Sequence, residues 1–254
     1  MKIHKLKGSA KILLLLKINL IGVIDMSKIF GLDAGHCTSG ADTGAQGNGY
    51  KEQDLTRQVV TYLSEYLEKE GHTTKYCHCN SASTVNESLR YRVNKANSIG
   101  VDYFVSIHFN AGGGVGTETY ICARGGEAER VAKRVNSKLV QYGYRDRGVK
   151  VGNLYVIKNT NAPAILVECC FIDSSSDMAK FNAKAIAKAI AEGLLDKTIG
   201  EVENKPESVP SNKETSNTYF RVVVGSYKDR ENAVKKQEEL KAKGEDSFLL
   251  AYKE

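Results

Sequence analysis

The chain has 254 residues, 41% of them hydrophobic, and its 36 basic and 30 acidic side chains give a formal charge of +6. That length holds one catalytic-sized domain plus a small appendage, and the apolar share excludes wholesale disorder. A mildly basic balance suits an anionic polymer, and no zinc-finger, RRM-like or KH-like spacing accompanies it, so no nucleic-acid partner is expected.

At the N-terminus Lys2, Lys5, Lys7 and Lys11 precede an apolar run over 12–16, which Lys17 interrupts before 18–24 resume it. The pattern is signal-like but lacks an A-x-A cleavage site. A membrane span needs about 20 uninterrupted apolar residues, so no stable anchor is expected. Residues 1–25 are read as a non-native or signal-like extension, with translation naturally starting at Met26.

From 26 to about 197, short apolar runs alternate with amphipathic helical patterns. Residues 29–32 read as a strand, and 52–70 as a helix with Leu55, Val59, Leu63 and Tyr66 on one face and Gly71 closing it. A strand follows at 73–77, then a helix from 83 through 96 with Asn86 as its N-cap. Residues 102–109 form a nearly continuous apolar run, as expected at the centre of a sheet covered on both faces. A strand at 117–122, a helix at 127–142, a buried strand at 164–168 and a helix at 177–195 complete the domain. This alternation predicts an α/β three-layer sandwich with a mostly parallel twisted sheet.

Six cysteines, Cys37, Cys77, Cys79, Cys122, Cys169 and Cys170, show no framework spacing, and four sit in strand-like runs. They read as buried free thiols, with Cys169 and Cys170 on opposite sheet faces. Cys77-His78-Cys79 lacks the matching second half of a metal clip.

Residues 198–218, with Pro206 and Pro210, are a linker by composition. Residues 219–225 then alternate as a strand, 229–243 as a helix and 247–252 as a strand. A β-α-β unit of about 35 residues cannot bury a core alone and needs a partner.

Three apolar strands end in a metal-competent or acidic side chain: Leu32-Asp33-Ala34-Gly35-His36, Val105-Ser106-Ile107-His108, and Ile165-Leu166-Val167-Glu168. The carboxyl ends of strands in open α/β sheets form the ligand crevice, so these groups can converge. Glu52 opens the first helix after a glycine-rich loop and can swing in beside His36. Taken singly, His36 reads as a solvated loop histidine and Glu52 as a first-turn acid favoured by the helix dipole. Taken together, two imidazoles and a carboxylate leave a tetrahedral zinc one open position, and Glu168 supplies the acid/base that hydrolysis then needs. Asn110 is expected to line the crevice, with Asn153 and Tyr155 as further substrate contacts. Arg92 and Asn97 are expected to be structural.

His36, Glu52, His108 and Glu168, in that order, resemble the zinc N-acetylmuramoyl-L-alanine amidases of the Amidase_3 family, used by phage endolysins and bacterial autolysins. The match runs from about Lys28 to Leu195 and includes Leu89-x-x-Arg92-x-x-x-Ala96-Asn97, Ser106-Ile107-His108-Phe109-Asn110-Ala111 and Phe171-Ile172. The resemblance implies that His36, Glu52 and His108 bind Zn2+, that Glu168 is catalytic, and that bacterial peptidoglycan is the substrate. Residues 219–254 resemble half of a SPOR-type module, a family that binds glycan strands and carries two β-α-β halves. Pairing of two tails is expected to rebuild a four-stranded sheet, making a homodimer. The role expected is a phage lysin, made in the cytoplasm and released to the wall. The alternatives are a secreted host autolysin or sporulation amidase, a zinc peptidoglycan carboxypeptidase, or a non-catalytic wall-binding protein.

Overall fold

The computed structural model describes residues 27–202 and 229–242. Six strands make the main sheet: β1 (Ile29–Ala34), β5 (Thr73–Tyr76), β7 (Tyr103–Asn110), β8 (Thr117–Ile121), β9 (Asp146–Val151) and β10 (Ala164–Phe171). Their order is β5-β1-β7-β10-β8-β9. Every neighbouring pair is parallel except β10 with β8. Four two-residue strands, β2 (Ser39–Gly40), β3 (Gln46–Gly47), β4 (Tyr50–Lys51) and β6 (Ser81–Ala82), pair β2 with β6 and β3 with β4.

Helices α1 (Glu52–Lys69), α3 (Glu127–Tyr142) and α6 (Ala183–Leu195) bury Leu55, Val59, Leu63, Val131, Val135, Ile186 and Ile190 in the larger apolar cluster. Helices α2 (Val85–Ile99) and α4 (Tyr155–Asn159) bury Val93, Ala96, Val156 and Ile157 with Phe104 and Leu166 in a second cluster. The sheet side chains alternate between the two clusters: Val105 and Ile107 join the larger, Phe104 and Leu166 the smaller. That is the three-layer sandwich read from the sequence, and it explains why the central strands are apolar on both faces.

The structure departs from the expected elements at several points. Thr84, not Asn86, caps α2: its hydroxyl accepts from the Glu87 N–H at 3.1 Å, and the Glu87 carboxylate accepts from the Ser83 N–H, one residue before the cap, at 2.9 Å. The helix expected at 177–195 is two, α5 (Ser175–Met178) and α6, because Asn182 restarts the helix by accepting from Ala185 N–H at 3.0 Å. The final strand continues to Phe171, and β9 and α4 were not anticipated. Pairing slips between Glu168 and Phe171, and Cys169 and Cys170 both enter the larger cluster rather than opposite faces. Cys122 is exposed and Cys79 half-buried, so four thiols, not six, are buried. The expected linker begins too early, since Ile199 and Val202 are buried against the catalytic unit and Glu201 accepts from the Tyr66 hydroxyl at 2.8 Å.

The chain divides into two compact units, 1–204 and 205–254. In the second, helix α7 (Arg230–Ala242) is capped by Asp229, whose carboxylate accepts from Glu231 N–H at 2.7 Å. The two strands expected around it, the extension at 1–25 and the rest of the linker lie outside the described residues. Among the described residues, no helix is long and apolar enough to cross a membrane.

Candidate metal and acid–base site

The carboxyl ends of β1, β7 and β10 lie side by side. His36 sits just past β1 with φ +64°, a left-handed conformation that costs a side-chain-bearing residue energy and persists only where its surroundings impose it. Those surroundings are identifiable. Arg57 donates to the His36 carbonyl at 3.1 Å, and the Thr56 hydroxyl donates to the Gly35 carbonyl at 3.0 Å, so helix α1 clamps the loop from both sides. A Cβ on Gly35 would stand 2.4 Å from the His108 ring, and one on Gly44 2.7 Å from Glu52 Oε2, so both glycines make room for the same cluster.

Glu52, the first residue of α1, is 3% exposed. Its Oε2 accepts from Ala45 N–H at 2.8 Å and lies 3.3 Å from His36 Nε2; its Oε1 accepts from Phe109 N–H at 3.0 Å and lies 3.1 Å from His108 Nδ1. One nitrogen from each histidine and one carboxylate oxygen fall within 4.8 Å of one another. Asp42 accepts at 2.9 Å from His36 Nδ1, which leaves Nε2 directed at the cluster and fixes the ring in the orientation a ligating imidazole needs. Burial opposes charging of His36, but the hydrogen bonds that Asp42 and Glu52 accept from its ring, with their negative charge, outweigh it and lift its pKa to about 9. Burial likewise opposes ionisation of Glu52, yet the two histidines hold it well below the usual carboxylate range. The pocket therefore favours positive charge between its donors. Two imidazoles and one carboxylate are a zinc donor set, and these residues fit that ion.

Glu168 on β10 stands directly opposite His108 on β7. It is half-buried, its Oε2 has no hydrogen-bond partner among the described residues, and burial pushes its pKa up to about 7. A carboxyl held near neutrality without a partner suits a group that must accept and then release a proton.

Sequence reasoning missed the other half of the polar array. Glu118 on β8 stands opposite Glu168 and is 1% exposed. Its Oε1 accepts from Asn110 Nδ2 and the Tyr120 hydroxyl, both at 2.9 Å, and its Oε2 from Arg147 Nε and Lys150 Nζ, both at 2.5 Å. Asn110 thus turns its amide to Glu118. Asn153 and Tyr155 are exposed in the loop after β9 and at the start of α4, and neither joins this array. Arg92 is buried, donating to Asp33 at 2.6 Å and the Ala34 carbonyl at 2.7 Å, and Asn97 ties α2 to the end of α4 through the Asn159 carbonyl at 3.0 Å, as a structural pair should.

Comparison with known proteins matches this architecture. The profile of the Amidase_3 family, N-acetylmuramoyl-L-alanine amidase, matches residues 31–197, and that of the SPOR domain matches 178–251. The two overlap where α6 is committed to the catalytic core. A sporulation-specific N-acetylmuramoyl-L-alanine amidase of Bacillus subtilis is 34% identical over 227 residues, covering 89% of this chain and 85% of that protein. An endolysin of Bacillus phage SPP1 is 37% identical over 165 residues, 61% of this chain and 58% of that one. Among solved structures, the catalytic domain of the CD27L endolysin targeting Clostridia Difficile superposes with a TM-score of 0.63 at 29% identity, covering 68% of this chain and 99% of that domain. The chain belongs to the N-acetylmuramoyl-L-alanine amidase family and is a peptidoglycan amidase with a SPOR-like C-terminal part.

Proposed function

We propose that the amidase is zinc-dependent, with His36, Glu52 and His108 holding the ion and Glu168 acting as general acid/base. The observation that carries this reading is the register of Glu168 with His108: a carboxyl whose Oε2 has no partner among the described residues sits one strand away from three converging donor atoms. A zinc ion held there supplies Lewis acidity for the scissile carbonyl and the attacking water. Glu168 takes the proton from that water and passes it to the leaving alanine nitrogen. Glu52 and Asp42 keep the imidazoles in place, and the φ-strained His36 loop is anchored by Arg57.

The test is metal analysis of the purified protein coupled to digestion of bacterial walls, with and without chelator. One zinc per chain, new alanine N-termini, no new sugar reducing ends, and loss then zinc-dependent recovery of activity are expected. Chelator-resistant cleavage sinks the metal assignment. Freed groups between peptide residues instead would indicate a carboxypeptidase, and binding without cleavage a wall-binding protein.

The biological setting is a phage lysin released to the wall at lysis, a host autolysin or a sporulation amidase. The alignment with the sporulation-specific relative leaves out only 11% of this chain, fewer residues than the 36 of the 219–254 tail, so it includes part of that tail. The phage endolysin aligns over 61%. That difference favours the sporulation-type role, which expression timed to sporulation would support and expression only during phage growth would overturn. The tail is read as a half module that pairs with a second copy while binding glycan; sedimentation of the full chain as a monomer rules the pairing out.

A further inference from the structure

The sheet carries one polar row across three neighbouring strands: His108 on β7, Glu168 on β10 and Glu118 on β8 stand opposite one another in register. Beyond them, Arg147 and Lys150 of β9 reach back to Glu118. From this juxtaposition we propose that Arg147 and Lys150 form a subsite for a carboxylate of the stem peptide, on the side of Glu168 away from the metal ligands; the inference rests on the amidase reading above.

Three features support it. The charges do not balance, because the single buried carboxylate of Glu118 faces two cations, and one positive charge is left over at the surface. Both cations are accessible, with side chains 30% and 37% exposed, whereas Glu118 is sealed at 1%. Their heads are also held in place. The Arg147 guanidinium is fixed through Nε by Glu118 and lies 4.8 Å from the Phe171 ring centroid, while its Nη1 and Nη2 have no acceptor among the described residues. Lys150 is held over the Tyr120 ring at 5.9 Å. A pre-positioned guanidinium with two free parallel donors is the geometry that recognises a carboxylate. Glu118 is the scaffold of this subsite. Its four hydrogen bonds use up its own acceptors, so it orients the cations without competing for substrate.

The distances agree with a peptide. Strands lie about 4.8 Å apart, so Glu118 is on the order of 10 Å from His108. Two residues of extended peptide span about 7 Å, and a side-chain carboxylate extends that reach. With the scissile amide at the metal ligands and the peptide running across Glu168, a free carboxylate on the second peptide residue arrives at Arg147 and Lys150.

The zinc-loaded full chain is assayed on two soluble muramyl peptides that differ only in whether the second residue's free carboxylate is intact or amidated. The amidated peptide is expected to show a KM about tenfold higher, the worth of one charge-assisted hydrogen bond near solvent. In Lys150→Met and Arg147→Lys the ratio is expected to shrink to about two- or threefold. Equal KM values in the unsubstituted enzyme overturn the subsite, as does a tenfold ratio that survives both substitutions. The unsubstituted comparison decides even if a variant misfolds. Cleavage of neither peptide, with zinc bound, would count against the amidase reading itself rather than the subsite.

Discussion

Glu52 and Glu118 are both almost fully buried, at 3% and 1% exposure, and both bear electrostatically on Glu168, yet they are satisfied in different ways. Glu52 accepts two backbone N–H bonds and otherwise faces two titratable imidazoles, so its surroundings can give up protons and receive a metal cation. Glu118 faces a guanidinium and an ammonium, two cations that leave no place for another. The partners of a buried carboxylate, more than its burial, decide whether it serves as a ligand or a scaffold. Glu168 lies between the two, and its Oε2 has no hydrogen-bond partner among the described residues, which suits an acid/base.

The largest expected effect comes from removing the Glu168 carboxyl. Glu168→Gln is expected to lower kcat about a thousandfold, on the order of 4 kcal/mol of transition-state stabilisation, while zinc content stays at one per chain. If turnover survives, or if zinc is lost with it, Glu168 belongs to a different part of the site. Glu118→Ala tests the scaffold. It strips two cations of their counter-ion and leaves the Asn110 and Tyr120 donors unmatched. Because Arg147 and Lys150 are partly exposed and water can screen them, the expected loss is about 2 kcal/mol rather than the full cost of a dry broken pair. Urea unfolding reads this as a lower midpoint at constant slope; an unchanged midpoint would show that Glu118 is dispensable to the fold.

A smaller effect is expected one bond further from the proposed metal site. Asp42 holds His36 Nδ1 at 2.9 Å, and Asp42→Asn keeps the shape but not the charge. Zinc affinity is expected to fall about tenfold, measured by competition with a chromogenic chelator, since partners of ligating histidines typically contribute that much. Affinity equal to the unsubstituted protein would mean that Glu52 alone orients the imidazoles.

The ligand half of this comparison was legible in the sequence and the scaffold half was not, for a physical reason. His108 and Glu168 follow apolar runs within β7 and β10, where a polar group demands a partner, so each advertised itself. Glu118 sits in Thr-Glu-Thr-Tyr-Ile, which reads as an ordinary alternating strand, and its partners lie 29 and 32 residues away on β9. That strand was unreadable because Gly148, at φ +79°, breaks the alternation of Asp-Arg-Gly-Val-Lys-Val. The strain at His36 was equally hidden, since nothing in Ala-Gly-His-Cys announces that the left-handed residue is the histidine and not the glycine. The layered α/β fold was readable from alternating periods, while the cap at Thr84 and the break at Asn182 depended on which of several competent side chains reached the helix end.

The smallest effect uses a second pair, His36 and His78, to sharpen the same lesson. His36 has two carboxylate hydrogen-bond partners and is pushed up; half-buried His78 has none among the described residues, and burial pushes it down to about 4 from an ordinary 6.5 against the weaker pull of Asp33. Its Nδ1 accepts from Ala34 N–H at 3.3 Å, a bond that protonation there would remove. Below pH 6.5 the unfolded chain binds a proton at this histidine, while the folded chain does so only near pH 4. The unfolded state therefore carries more protons in that window, and stability falls as pH drops through it. The full shift corresponds to about 3 kcal/mol, which solvent access to a half-buried ring reduces to about 1–2 kcal/mol. His78→Gln keeps an acceptor for Ala34 but does not titrate. The difference in unfolding free energy between variant and parent is therefore expected to change by that amount between pH 7 and pH 4, in favour of the variant at low pH. Parallel stability curves would show that His78 charges freely in the folded protein, and that the edge of the sheet beside β1 is wetter than its packing suggests.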